Sequence, residues 1–283
     1  MGKLQLYFSR PNLTRSAIPA QLFFCTKLCY HRKRRKNMRQ EKDCIYEILT
    51  TASYLNQHKQ LKPYAYQVLF EQMAERHLSD LGLNVDTTMQ YGLAWALISM
   101  SLEVTNPIED NMKLLGSTWF SQHKGPYFRR ELLFRDEAGR LMFQGSTHSV
   151  LLDMEKRTVF RKKEPPFPMH EPTEQFLVNA SPGFKLETEL FPVEDRSVMP
   201  SHIDCLGHVN NCRYGEFIYD TFSEEEQEKL KHLKRMDIHF LSELRKGDRF
   251  TIKKSAEEQR LYFQGFNQSK DDVSFNIQMQ FGD

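Results

Sequence analysis

The chain of 283 residues is poor in cysteine and has no long apolar run. Because no stretch of about 18 consecutive apolar residues occurs, no membrane-spanning helix is expected. Its five cysteines form no CxxC pair and share no zinc-ligand spacing with histidine, which excludes the common zinc-binding motifs. The number is odd, so we expect reduced thiols in a cytoplasmic compartment rather than a disulfide framework. No metal or organic cofactor is expected.

Acidic residues are absent from positions 1–37, although these positions carry nine of the 39 lysines and arginines. All 37 aspartates and glutamates lie in the rest of the chain, which is therefore mildly acidic and a poor nucleic-acid partner. We expect residues 1–40 to be a poorly ordered basic extension with no part in the chemistry. Translated sequence upstream of a start at Met38 explains this stretch nearly as well. An organelle-targeting segment or a nucleic-acid arm is a lesser alternative.

The spacing of apolar residues predicts a helix and several strands in each half of the chain. A helix is predicted over residues 63–82, where Pro63 suits the first turn and Gly82 suits the C-terminal cap. A second helix is predicted around residues 210–222. The predicted strands are 93–102, 113–122, 128–135 and 141–153 in the first half, and 186–200, 236–244, 249–257, 260–268 and 273–281 in the second.

A proline-rich segment, residues 163–184, separates the two halves and has four prolines in its first ten residues. Proline lacks a backbone donor, so this segment is predicted to be an extended linker. A shift of 148 residues places Tyr66 on Tyr214, which indicates an internal duplication. We therefore predict an α+β fold with two domains, 41–162 and 185–283. Each would be a long helix wrapped by a curved antiparallel sheet.

Several reactive side chains are close together between Pro200 and Tyr214, where a strand ends and the second helix begins. A helix N-terminus presents free N–H groups that can polarise a carbonyl and stabilise an oxyanion. We expect the amides of Val209 and Asn210 to face such a carbonyl. A carboxylate and an imidazole can together activate a water molecule. The residues of this segment with side chains or backbone suited to such chemistry are Asp204, Gly207, His208, Asn210 and Asn211.

The spacing Asp204-x-x-Gly-His-Val-Asn-Asn-x-x-Tyr214 resembles the signature of hotdog-fold thioesterases. The order of both halves is similar to that of the acyl-acyl-carrier-protein (acyl-ACP) thioesterases, which carry two hotdog units in tandem. The segments Gly92-Leu-Ala-Trp95 and Leu151–Arg157 resemble parts of the first unit in that family. The resemblance covers residues 44–283 and implies two tandem hotdog domains.

In this resemblance the first unit supplies the acyl pocket and the second unit supplies the catalytic groups. The implied catalytic residues are Asp204, His208 and Glu243. The implied substrate contacts are Trp95, Val209, Asn210 and Asn211. Glu243 is expected on the strand predicted over residues 236–244.

Three positions differ from what two equivalent active sites of the plant type would carry. Leu206 stands where plant members of the family carry an asparagine. At the 148-residue offset, Asn56 and Gln60 stand in the first half where Asp204 and His208 stand in the second. An amide cannot act as a general base, so one active site per chain is expected.

The implied activity is hydrolysis of fatty acyl-ACP thioesters, which releases a free fatty acid and ends chain elongation in fatty acid biosynthesis. The alternatives are an acyl-CoA thioesterase of the same fold and an acyl-binding hotdog protein without hydrolysis. The implied partner is an acyl carrier protein, which is acidic and would need a basic surface. Candidates for that surface are Arg129, Arg130, Arg157, Arg161, Lys162 and Lys163. The sequence leaves open whether two chains form a homodimer.

Overall fold

The computed structural model describes residues 45–162 and 164–282 of the chain. The predicted basic extension at 1–40 and the cysteines Cys25, Cys29 and Cys44 lie outside the described residues, as do Lys163 and Asp283. The described part contains eleven strands and four α-helices.

In the first half, one strand precedes two helices and five further strands. The first strand is β1, Ile45–Leu49. The helices are α1, Pro63–Asp80, and α2, Val85–Met89. The strands that follow are β2, Leu93–Val104; β3, Lys113–Lys124; β4, Tyr127–Asp136; β5, Leu141–Asp153; and β6, Thr158–Val159. The sequence predicted α1 and β2 to β5 at nearly these positions, and it did not predict β1, α2 or β6.

The second half has a similar order, with one strand, two helices and four strands. The elements are β7, Phe191–Ser197; α3, Asn211–Tyr219; α4, Glu224–Lys229; β8, Leu233–Phe240; β9, Arg249–Glu257; β10, Arg260–Asn267; and β11, Asp272–Phe281. The strand predicted over residues 236–244 ends early, at Phe240. Its ladder with β11 ends there because the next two amides, of Leu241 and Ser242, both donate to the backbone oxygen of Ser274. Glu243 therefore lies in a loop and not on a strand.

Helix α1 begins at Pro63 because proline lacks the N–H group that a first helical turn leaves unpaired. It ends two residues before Gly82, whose φ of +68° is a left-handed conformation that glycine adopts without steric cost. Ala65, Leu69 and Met73 recur at helical spacing and are fully buried in the core. None of the described helices is long and apolar enough to cross a membrane.

One antiparallel sheet contains the strands of both halves, in the order β1-β3-β4-β5-β2-β8-β11-β10-β9-β7, with β6 paired to β5. The halves join where β2 pairs with β8, with Ser99 opposite His239 and Glu103 opposite Arg235. This is the edge-to-edge pairing that an open sheet edge in each half favours. Strand β7 lies at one end, where Pro192 is tolerated because an edge strand has one side without a ladder partner.

Helices α1 and α3 pack closely against each other at a glycine. A β-carbon on Gly215 would collide with Gln67 Oε1 and lie 3.0 Å from the α-carbon of Tyr64. Glycine therefore allows an approach that a larger residue would block. The Nε2 of Gln67 donates to the backbone oxygen of Asn211 at 2.8 Å. This contact fixes the first turn of α3 against the helix of the first half.

The predicted linker lies along the sheet, and residues 164–190 form neither helix nor strand. Trp119 Nε1 donates to the backbone oxygen of Gln175 at 3.0 Å. The amide of Leu177 donates to Glu131 Oε2 at 3.1 Å. Side chains of the sheet thus satisfy the backbone of a segment that has no ladder of its own.

Two of the residues predicted to form a basic surface, Arg129 and Arg130, are buried, so the prediction is wrong for them. Arg129 pairs with Glu131 at 2.7 Å on the linker side of β4, while the next residue, Arg130, contacts Nδ1 of His77 at 2.6 Å on the α1 side. Both faces of this strand are covered, so alternation exposes neither side chain. Burial, together with the positive Arg130, lowers the pKa of His77 to about 3. Of the remaining candidates, Arg157, Arg161 and Lys162 are exposed, and Lys163 lies outside the described residues.

The 148-residue offset also relates the turns that precede α1 and α3. In the first turn, Asn56 Oδ1 accepts hydrogen bonds from the amides of His58 and Gln60, both at 2.9 Å. Asp204 makes the corresponding bonds in the second turn. Each turn is enclosed by an isolated antiparallel bridge, Leu55 with Leu61 and Ile203 with Val209. The two halves therefore share a local structure as well as an order of elements.

Candidate active site

The loop from Ile203 to Val209 is closed by its own backbone hydrogen bonds. The amide of Asp204 donates to the oxygen of His208 at 2.8 Å, and the amide of Gly207 donates to the oxygen of Asp204 at 3.1 Å. Gly207 has a φ of +82°, which favours glycine. A β-carbon there would meet no atom within 4 Å, so the backbone conformation and not crowding favours the glycine.

Asp204 has one carboxylate oxygen engaged and one available. Its Oδ1 accepts hydrogen bonds from the amides of Leu206 at 2.8 Å and His208 at 3.2 Å. Its Oδ2 makes no hydrogen bond to any residue that the structure describes. The side chain is half-buried and lines a cavity of about 480 Å³. Asp204 is therefore oriented by the loop, lines this cavity and keeps one carboxylate oxygen without a partner in the described part of the chain.

His208 and Glu243 form a close pair in the same cavity. Nε2 of His208 lies 2.9 Å from Oε2 of Glu243, and both side chains line the cavity with Asp204. The two residues come from different loops, one before α3 and one after β8. The structure thus brings together the three side chains that the sequence predicted to be catalytic.

Two arginines flank the carboxylate of Glu243. Nη2 of Arg157 lies 2.7 Å from Oε1, and Arg245 donates to the same oxygen through Nε at 2.8 Å and through Nη2. Partial burial raises the pKa of Glu243, but the hydrogen bonds from Arg245 and Arg157 and the proximity of His208 outweigh it and lower this pKa. A carboxylate so strongly paired is a weak base, which suits it to orient His208 rather than to accept a proton from water.

The expected oxyanion donors Val209 and Asn210 are engaged elsewhere. The amide of Val209 donates to the oxygen of Leu244 at 3.0 Å, and that of Asn210 donates to the oxygen of His202 at 2.9 Å. The expectation that these two amides face a substrate carbonyl is therefore wrong. The side chain of Asn210 caps α3 instead: its Oδ1 accepts from the amide of Cys212 at 2.8 Å. These groups therefore hold the loop against neighbouring segments of the fold.

Asn211 is the first residue of α3 and retains free polar groups. Within residues 45–162 and 164–282, neither its backbone N–H nor its side chain donates a hydrogen bond. Its side chain lines both the cavity at His208 and a second cavity of about 180 Å³. A helix N-terminus is a favourable place for developing negative charge. Asn211 thus keeps, at the start of the helix, the backbone donor that Val209 and Asn210 use elsewhere.

Trp95 connects the two cavities, because it too lines both. The smaller cavity lies between α1 and the sheet of the first half, and most of its lining is apolar, including Phe70 and Met100. Phe120 and Phe128 are shared by this cavity and a third cavity of about 890 Å³ under the proline-rich segment. Shared aromatic residues thus line neighbouring cavities from the Ile203–Val209 loop into the first half.

Sequence reasoning missed the contacts that Glu71, Arg157 and Arg245 make with residues of the candidate site. Glu71 of α1 accepts from Asn210 Nδ2 at 2.8 Å and from Cys212 Sγ at 3.1 Å. Burial, with the adjacent negative charge of Glu71, raises the pKa of Cys212, so its thiol is a poor nucleophile. Glu71 and Arg157 are far in sequence from their partners, and no local motif marks them.

Comparison with known proteins identifies relatives for both halves. The acyl-ACP thioesterase N-terminal domain matches residues 42–164, and the acyl-ACP thioesterase C-terminal domain matches residues 188–282. An acyl-ACP thioesterase from Bacteroides thetaiotaomicron VPI-5482 is 19% identical, with a TM-score of 0.71 over 84% of this chain and 97% of that one. The 12:0-ACP thioesterase from Umbellularia californica is 12% identical, with a TM-score of 0.69 over 84% of this chain and 97% of that one. No curated protein sequence matches significantly.

The duplicated helix-and-sheet units are the tandem hotdog domains of a thiolester hydrolase, which confirms the predicted α+β fold. The solved structures share this fold at low identity. The two domain matches together span most of the chain, and the chain belongs to the acyl-ACP thioesterase family.

Proposed function

We propose that this protein hydrolyses fatty acyl-ACP thioesters and releases free fatty acids, with Asp204, His208 and Glu243 as its catalytic residues. The observation that carries the proposal is the cavity that these three side chains line together. That cavity shares Trp95 with an apolar cavity in the first half, where an acyl chain can be buried. Membership of the acyl-ACP thioesterase family supports the same conclusion.

In the proposed reaction, Asp204 acts as the base. Its free Oδ2 accepts a proton from a water molecule, whose oxygen then bonds to the carbonyl carbon of the thioester. The carbon–sulfur bond breaks, and His208 gives the proton of its other ring nitrogen, Nδ1, to the departing thiolate. The proton taken up by Asp204 then returns to His208, so both groups end the turnover as they began it. Glu243 holds the imidazole of His208 through Nε2 at 2.9 Å. Asn211 stabilises the negative charge on the carbonyl oxygen.

Direct attack by Asp204 on the thioester is the alternative chemistry, because its free oxygen could also act as a nucleophile. A single turnover in heavy-oxygen water distinguishes the two. Attack by water places the heavy oxygen in the fatty acid at once. Attack by the carboxylate expels the thiolate and forms a mixed anhydride, and water that then attacks the aspartyl carbon of this anhydride leaves an oxygen of Asp204 in the fatty acid of the first turnover.

The acyl chain would extend from the catalytic loop past Trp95 into the cavity between α1 and the sheet. The thioester would lie at the loop because polar groups surround it there. The acyl chain would lie against the apolar walls because burial of each methylene group is favourable by about 0.8 kcal/mol. This assigns acyl binding to the first half and catalysis to the second half.

The proposed partner is an acyl carrier protein, whose pantetheine arm would deliver the thioester. Of the cations expected to receive it, Arg161 and Lys162 are exposed. We further propose a reducing compartment such as the cytoplasm as the place of action. Cys205 and Cys212, the two cysteines within the described residues, are both free thiols.

The test is a hydrolysis assay in which matched fatty acyl groups are presented on acyl carrier protein and on coenzyme A. We expect fatty acid release from the carrier protein with a higher kcat/KM than from coenzyme A. A preference for coenzyme A would support the acyl-CoA thioesterase alternative. Saturable binding of both thioesters with no release of acid would support a non-catalytic acyl-binding protein.

A further inference from the structure

The side chain of Arg157 reaches the catalytic pair from the other half of the protein. Arg157 lies in the turn between β5 and β6, and its amide donates to the oxygen of Asp153 at 2.8 Å. Its φ is +54°, in the left-handed region where glycine is the residue of least cost. An arginine at this position carries a conformational cost that a glycine would avoid.

One nitrogen of Arg157 contacts both members of the pair. Nη2 lies 2.7 Å from Oε1 and 3.0 Å from Oε2 of Glu243, and 3.1 Å from Nε2 of His208. The guanidinium thus completes a three-way contact in which His208 and Glu243 also touch at 2.9 Å. The three residues come from three separate loops of the chain.

Arg157 can stay in contact with His208 and Glu243 whether or not Nε2 of His208 carries a proton. When Nε2 carries a proton, it donates to Glu243 and Arg157 bonds to the carboxylate. When Nε2 lacks a proton, the N–H of Arg157 donates to it directly. Arg245 cannot replace Arg157 in this, because it contacts Glu243 and makes no bond to His208 in the described chain.

We propose that Arg157 is a positioning residue, which holds His208 and Glu243 in one arrangement through the proton transfers of the reaction. The first half then contributes to the reacting centre as well as to the acyl pocket. This inference rests on the proposed function, because it assigns Arg157 to that site. The Arg157 side chain is 41% exposed, and an ion pair at such a site adds little to stability. The contact of Arg157 matters because it orients His208 and Glu243. A small displacement of a reacting group can lower the rate by about 100-fold.

The test compares two alanine substitutions in the same turn of the full chain. Arg157→Ala removes the contact, and Lys156→Ala is the matched control, since Lys156 pairs with Asp153 and does not reach the site. We expect Arg157→Ala to lower kcat by about 10–100-fold with little change in KM or in the urea midpoint. Lys156→Ala should retain parental kcat. Guanidinium ion, added below unfolding concentrations, should restore part of the activity to Arg157→Ala alone.

Three results would overturn the proposal: a parental kcat in folded Arg157→Ala, an equal loss in Lys156→Ala, or a loss that appears only in KM. A second measurement does not depend on turnover. The nitrogen signals of the His208 ring, followed by NMR, should shift in Arg157→Ala and not in Lys156→Ala. If the parent hydrolyses no thioester, the proposed function fails, and the NMR result still decides whether Arg157 positions His208. Unshifted ring signals would refute the inference.

Discussion

Replacing Asp204 by asparagine separates the structural role of this side chain from its chemical role. Oδ1 of Asp204 holds the loop through two amides, at 2.8 and 3.2 Å, and Oδ2 is free for chemistry. Asparagine keeps the accepting oxygen and removes the charge. The first half shows that this is sterically sound, because Asn56 makes the same two bonds in the equivalent turn. Alanine at 204 removes both functions together.

The expected magnitudes follow from these contacts. A hydrogen bond contributes about 0.5–1.5 kcal/mol net, so Asp204→Ala should lower the free energy of unfolding by about 1–3 kcal/mol. Asp204→Asn retains both bonds and should lower it by less than about 1 kcal/mol. Loss of the base should lower kcat by about 10²–10⁴-fold in both variants. The two substitutions should thus differ in stability and agree in activity.

Urea unfolding of the parent and both variants measures the stability difference, and acyl-ACP hydrolysis at saturating substrate measures kcat. Near-parental kcat in folded Asp204→Asn would refute Asp204 as the base. If Asp204→Asn were as unstable as Asp204→Ala, the inferred role of Oδ1 in the loop would be wrong. The turnover and unfolding assays therefore test the two roles independently.

Three further predictions follow from the packing and the electrostatics. Gly215→Ala should lower the free energy of unfolding by about 1–3 kcal/mol, since its methyl group would press on the Tyr64 backbone and displace the Gln67 amide that bonds to Asn211; an unchanged urea midpoint would contradict the close approach of α1 and α3. The lowered pKa of Glu243 means that its ionisation stabilises the fold above the ordinary glutamate value of 4.5, and this stabilisation is lost as the pH falls through the folded-state pKa. Glu243→Gln should therefore be less stable than the parent at neutral pH and equal to it in strong acid, and a difference independent of pH in urea titrations would oppose this. Trp95→Ala should shift the preferred acyl-ACP substrate towards longer chains, because Trp95 is a wall of both cavities; an unaltered chain-length profile would show that it does not limit the pocket.

Sequence patterns predicted the regular elements well because their signals are local. The apolar spacing of α1, the proline at its first turn and the glycine after it are all contained within about 20 residues. The strand predicted over residues 236–244 was too long because the apolar pattern continues after Phe240, whereas the ladder stops there. That stop depends on Ser274, whose oxygen accepts from Leu241 and Ser242, and no local pattern records it.

The site was predictable only as far as its residues are neighbours in sequence. Asp204 and His208 share one loop, and the resemblance to a known family supplied Glu243. The expectation for the amides of Val209 and Asn210 was wrong because their acceptors, at Leu244 and His202, come from folding of the surrounding loops. The contact of Arg157 with Glu243 joins residues 86 positions apart, and its spacing carries no signal.

The pairing of β2 with β8 has a consequence for any attempt to divide the protein. Either half, expressed alone, would leave the peptide groups along one of these strands unpaired, and such an open edge is a template for aggregation. Two fragments produced together, with the break in the proline-rich segment, would instead find their missing neighbour in each other. Such a split protein should recover its activity by complementation, since the broken stretch contributes no strand to the shared sheet.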